Sequence, residues 1–235
     1  MNSLLHPVAP TSVTYTADDF STFFTRKVDT IRATTPTAPA PMIEHRQVFP
    51  PLASFNNMTV EEVSQILRKT QNKQCKLDPM PTWLVKELFD VLVPIITSMA
   101  TASFTHGLFP DSHKHAVVRS RIKKPSLDSL DIKSYRPISN LSLVSKTVEH
   151  LVVNLVDVHA SQYGLFPERQ SAYRQHHSTE TAVTIVHNDI VRSTDAGFVS
   201  PLMLLDLSAA FDTVDHSILW EILTERFGVE NLELD

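Results

Sequence analysis

The stretch PLMLLDL, Pro201–Leu207, constrains the fold more than any other part of the sequence. It is short, almost wholly apolar and follows a break at Gly197, the pattern of a buried central strand ending near Asp206. An ionised carboxylate inside such a strand is costly unless it is paired or bound to a metal. At the strand's C-terminal edge Asp206 escapes that cost by facing a crevice, where the active sites of α/β sheets gather. Its hard oxygens suit Mg²⁺, which activates an attacking oxygen and neutralises a transferring phosphoryl group. The alternative is a structural cap. Asp212 and Asp215 follow closely, and both suit a turn or a helix N-terminus. His216 beside Asp215 is no metal site by itself, because adjacent helical residues point in different directions. One carboxylate does not make a two-metal site. A second ligand has to come from Asp212, Asp215 or another strand.

Charge is segregated along the chain. The formal net charge of -5 argues against a uniformly basic nucleic-acid-binding surface. Yet residues 114–146 carry eight Lys and Arg against two Asp, a net of +6, and residues 195–235 carry nine acids against Arg226, a net of -8. The basic segment is suited to phosphates and the acidic one to divalent cations; two ordinary solvated faces are the other reading. With 4 Gly in 235 residues and no GxGxxG or GxxxxGK[ST], a Gly-rich phosphate loop is excluded. A single cysteine, Cys75, excludes an internal disulfide and a Cys-built zinc site. No basic, apolar leader opens the sequence and no apolar run reaches about 20 residues, so an intracellular protein is expected, cytoplasmic or nuclear.

Seven of the 15 prolines lie in the first 51 residues. PTAPAP, residues 36–41, is expected to be extended, and Phe20–Arg32 to form a short docking helix that buries Phe20, Phe23, Phe24 and Ile31. Residues 1–55 thus read as a leader or linker. Thr59 and Glu62 form a capping box before a helix running to about Arg68. Asp78 and Pro81 sit near the next helix start, with one helix to Val91 and another from Pro94 to about Phe104. Ala116–Ile122 reads as a strand, and residues 145–163 as a helix ended by Gly164. Ser178 caps a helix that buries Ala182, Ile185, Val186 and Ile190, and a last helix runs from about Ser217 to Phe227.

Between these elements lie the residues suited to a polyanion. Arg136 offers a planar fork beside the rigid Pro137, and Lys123 and Lys124 offer mobile point charges. QSAYRQHH places Gln170, Tyr173 and Arg174 in one polar loop, where Tyr173 could stack on a base or sugar and Arg174 could reach a phosphate. An edge tyrosine with an exposed arginine is the plain alternative. His176 and His177 lack convergent partners for a metal.

Three ordered segments carry a resemblance: KK…LDSLDIKSYRPISNLSLVSKTVEHLV, FPERQSAYRQHHSTETAV and LLDLSAAFDTVDH. Together they resemble the successive motifs of non-LTR (LINE-type) retrotransposon reverse transcriptases, nearest to the chicken-repeat/jockey-like group. The likeness spans about residues 58–230. It implies an α/β (α+β), helix-rich right-hand polymerase, here in part. Residues 56–200 would be the pre-fingers and fingers region, and residues 201–235 the start of the palm with its first strand and helix.

The resemblance also implies roles. Asp206 would be the first catalytic carboxylate and a Mg²⁺ ligand, and Phe211 would lie under the incoming sugar and exclude a 2′-OH. Arg136, with Lys123 or Lys124, would grip the triphosphate. Gln170, Tyr173 and Arg174 would meet template and primer. The complete enzyme would extend a DNA primer with dNTPs on an RNA template. Two departures stand out. QSAYR replaces the family's usual QSGFR, so Ala172 would strain the loop if that position needs φ > 0. No YADD-like paired-aspartate hairpin is present, so the chain alone is expected to be inactive as a polymerase. The competing readings are a non-catalytic RNA-binding fragment and, more remotely, a Mg²⁺-dependent phosphohydrolase built on Asp206, Asp212 and Asp215.

Overall fold

Reciprocal hydrogen bonds fix where the first helices begin. The computed structural model describes residues 15–34, 49–52, 58–73 and 75–230; PTAPAP lies outside them. Thr16 and Asp19 form a capping box at the start of α1 (Ala17–Ala33), and Thr59 and Glu62 form another at α2 (Val60–Lys69). Pro81 opens α3 (Thr82–Glu87), and α4 (Phe89–His106) closes on Gly107 in the left-handed region at φ 65°. After β1 (Val117–Ile122) and β2 (Tyr135–Asn140) come α5 (Leu143–Gln162), α6 (Thr179–Asp195) and α7 (His216–Glu225). The break expected between Val91 and Pro94 falls instead at Leu88. Pro94 lies inside α4, early enough that its missing N–H interrupts the ladder near one end only.

The core gathers where α2, α4 and α5 meet. Val63, Leu67, Val93, Ala100 and Leu151 are each at most 2% exposed, and Met58, Val85, Ile96, Leu143 and Val148 complete the cluster. Asp78 serves this core from a distance. Its Oδ1 accepts from the Leu143 N–H at 2.7 Å, so it caps α5 rather than the helix just after it. A second, smaller cluster closes the far end of α5. His159 Nε2 lies 2.9 Å from the Phe227 carbonyl, and its ring packs on Phe49 and Tyr163. Leu52 bridges Val229 in parallel, which ties residues 49–52 to the chain following α7.

Strands β1 and β2 form an antiparallel hairpin, the only sheet among the described residues. The strand over Ala116–Ile122 is therefore present; β2 was not expected as a strand. One face of the hairpin packs on α1, whose buried Phe20 meets Tyr135 edge-on at 5.0 Å. Tyr15 adds a hydrogen bond to the Leu130 carbonyl at 2.6 Å. The docking helix expected over Phe20–Arg32 is thus in place, with Phe20 buried and Phe23, Phe24 and Ile31 half-buried.

Two expectations fail toward the C-terminal part. Residues 201–207 form no strand, and Met203, Leu204 and Leu205 are 80%, 85% and 86% exposed. An extended chain leaves its own N–H and C=O groups unpaired, so it is buried only between partner strands. No described strand lies beside this one. Likewise Ser178 caps α6 as expected, but α6 has no buried residue. Its stripe of Ala182, Ile185, Val186 and Ile190 is half-buried or exposed because no other described element covers it. The described fold is helix-rich with one hairpin, in keeping with part of a polymerase's fingers and palm; a palm sheet is not assembled within it.

Candidate nucleic-acid interface

The hairpin register determines which cations share a face. Antiparallel pairing sets Arg121 opposite Arg136 and Arg119 opposite Ile138. Side chains alternate along a strand, so Arg119, Arg121 and Arg136 share the face opposite to that of Val118, Ser120, Pro137 and Ser139, which line a groove with α1 that Arg119 also borders. The ladder continues one bond further, from the Lys123 N–H to the Ser134 carbonyl. Lys123 Nζ donates to the Lys133 carbonyl at 2.7 Å, while Lys124 is exposed. Like charges directly opposite in a sheet are destabilising, and among the described residues no carboxylate forms an ion pair with Arg119, Arg121 or Arg136. Arg119 and Arg121 were not singled out in the sequence, although the alternation RSRIK within an expected strand carries the signal.

The polar loop is built by its own arginine. Arg174 Nη1 donates to the carbonyls of Pro167 and Gln170, and its guanidinium lies 5.4 Å from the Phe166 ring centre. Gln170 Nε2 donates to the Ala172 carbonyl. These bonds hold Tyr173 and His176 at φ 59° and 62°, a left-handed conformation costly for bulky residues. The strained position is Tyr173, not Ala172, so the glycine-to-alanine departure costs nothing there.

Tyr173 is 82% exposed and meets Phe211, 77% exposed, edge-on at 6.1 Å. This contact joins two candidate segments about 40 residues apart in sequence. Phe211 sits in a tight turn whose Ala209, at φ 53°, accepts from the N–H groups of Asp212 and Thr213. Asp215 ends the turn as the N-cap of α7, accepting from Ser217 and Ile218. The Ser217 hydroxyl, then those backbone N–H groups, and more weakly Arg32 hold the Asp215 carboxyl below the ordinary aspartate range. Arg32 of α1 also reaches the Val214 carbonyl at 3.3 Å. Asp215 is thus a capping residue. Asp212 caps no helix and lines the groove beside α1.

Asp206 stands apart. It is exposed, outside any strand, and no hydrogen bond or ion pair joins it to Arg136, Lys123 or Lys124. Among the described residues no three His, Cys, Asp or Glu side chains converge as a metal site. One solvated carboxylate does not fit Mg²⁺ as a complete centre, since that ion needs several well-placed oxygens. No described helix is long and apolar enough to cross a membrane.

Comparison with known proteins bears on the same segments. Residues 122–232 match the family described as reverse transcriptase (RNA-dependent DNA polymerase). The chain is 32% identical over 171 residues to the probable RNA-directed DNA polymerase from transposon X-element of Drosophila melanogaster, covering 72% of this chain and 18% of that protein. It is 33% identical over 108 residues to the counterpart from transposon BS of the same fly, covering 46% of this chain and 12% of the relative. To the RNA-directed DNA polymerase from mobile element jockey of Drosophila funebris it is 26% identical over 160 residues, 68% of this chain and 17% of the relative. The chain therefore spans less than a fifth of these relatives. Common ancestry with reverse transcriptases of non-LTR retroelements accounts for all of these matches.

Proposed function

We propose, from its ancestry with the reverse transcriptases of non-LTR retroelements, that this chain is the fingers and the first palm segment of an RNA-directed DNA polymerase, acting inside the cell. The observation that carries this reading is the hairpin face, where Arg121 stands opposite Arg136 and neither forms an ion pair among the described residues. That face takes phosphates: Arg136 with Lys123 or Lys124 holds a nucleoside triphosphate, and Gln170, Tyr173 and Arg174 border the RNA template and DNA primer. Phe211, held on Tyr173, takes the position under the incoming sugar. In the complete enzyme Asp206 is one of the carboxylates that hold Mg²⁺, and the other ligands come from strands that pair with residues 201–207.

Alone, the chain binds RNA and does not polymerise, because among the described residues no carboxylate set that would stabilise transition-state charge is assembled around Asp206. The test is twofold. The purified 235-residue chain should bind single-stranded RNA with strong salt dependence, and the Arg121→Gln/Arg136→Gln variant should lower the slope of log K against log salt by about 1.4, about 0.7 per phosphate contact. Primer extension with dNTPs and Mg²⁺ should yield no cDNA. Salt-insensitive binding, or processive cDNA from this chain, would overturn the reading.

A further inference from the structure

The loop that joins β1 to β2 is exposed throughout residues 123–131. Its far half is fastened. Ser129 and Leu130 offer their carbonyls to the hydroxyls of Tyr135 and Tyr15. Asp128 and Asp131 accept from the N–H groups of Leu130 and Lys133. The near half, residues 124–127, is a turn closed by one backbone bond, from the Leu127 N–H to the Lys124 carbonyl at 3.1 Å. Ser126 is a central residue of that turn, and no described residue holds its hydroxyl by a hydrogen bond.

Charge singles out the same serine. The chain has three adjacent Lys/Arg pairs, at 26–27, 68–69 and 123–124. Two residues beyond them stand Asp29, Gln71 and Ser126, so only the last pair leads to a hydroxyl. The threonines nearest the other pairs, Thr30 and Thr70, spend their hydroxyls on the carbonyls of Arg26 and Ile66. Two cations just before an exposed serine match the acidic subsites by which a basophilic protein kinase selects its substrates. Pro125 biases Lys124 toward the extended backbone such a kinase reads, and Leu127, 39% exposed, supplies an apolar residue after the acceptor.

We infer that Ser126 is a phosphorylation site for a basophilic serine kinase, and that its phosphate switches off the cationic end of the hairpin. A bond forms between Ser126 Oγ and the γ-phosphorus of ATP, the bond from that phosphorus to the β-phosphate breaks, and ADP leaves. The hydroxyl proton passes to the kinase's catalytic aspartate. The added group carries about -1.5 to -2 at neutral pH, enough to offset Lys123 and Lys124 beside it. The switch rests on the hairpin reading; the acceptor site does not.

The experiment treats the full chain with ATP and the catalytic subunit of a cAMP-dependent protein kinase, the basophilic probe, and maps the product by mass spectrometry. Phosphate should appear on Ser126, vanish in Ser126→Ala and persist in Ser129→Ala. Lys123→Gln/Lys124→Gln should slow labelling about tenfold, through the charge pairs lost to the kinase. No phosphate on Ser126, or equally fast labelling of the double-lysine variant, would overturn the site. Against labelled oligouridine near 0.1 M salt, the phosphorylated chain should bind about tenfold more weakly, with a salt slope lower by about 1.4. Full labelling with unchanged affinity would overturn the switch, while Arg121→Gln/Arg136→Gln still reports on the hairpin face. A chain labelled at Ser126 that binds no RNA in either form would overturn the hairpin reading and the switch together and sustain the acceptor site.

Discussion

Segment 201–207 is denser in apolar residues than α2, α4 or α5, yet it lies exposed while those helices build the core. Leu67 is 2% exposed and Leu205 is 86% exposed. A helix satisfies its backbone internally and needs only a neighbour for one face, which α2, α4 and α5 provide for one another. A strand needs partners on its edges before its side chains can be buried. Hydrophobicity alone therefore marks what ought to be buried, and hydrogen-bond closure decides whether it is. The same rule separates α5, capped by Ser142 and Asp78 and packed along its length, from α6, capped by Ser178 but left uncovered.

The contrast can be broken by mutation. Leu67→Ala should cost about 2–5 kcal/mol in a denaturant titration, because it opens a cavity in a packed site. Leu205→Ala, the same chemical change, should fall within about 0.5 kcal/mol of wild type. A loss at Leu205 comparable to that at Leu67 would mean the segment is buried in solution. Asp78→Ala should cost about 1 kcal/mol by leaving the α5 amide uncapped, again by denaturant titration.

A smaller and local effect is expected at α7. The Asp215 carboxyl is held below its ordinary value, so its support for the helix is complete above the unfolded aspartate value and is lost as pH falls through the depressed one. Asp215→Asn should remove that acid-dependent step in the amide exchange of α7 while leaving α5 unaltered. A step that survives the substitution would assign it to another group.

Local rules were legible in the residues themselves. Thr59 with Glu62, Ser178, Gly164 and the β-rich run before Ile122 each specify a boundary through a bond or a backbone angle set nearby. Non-local pairings were not. Asp78 caps a helix 65 residues away, Arg121 faces Arg136 only once the hairpin has registered, and Phe211 finds Tyr173 through two turns with left-handed residues. Asp206 shows the limit most clearly. Its sequence context reads as a strand edge, but that edge exists only when a sheet forms around it.

Amide hydrogen exchange on the intact chain tests the central contrast most directly. Residues 143–162 should exchange slowly, through opening of the packed core, while residues 201–207 should exchange at the rate of an unstructured peptide. Protection over residues 201–207 matching that of α5 would contradict the account, since it would mean that this strand already has its partners.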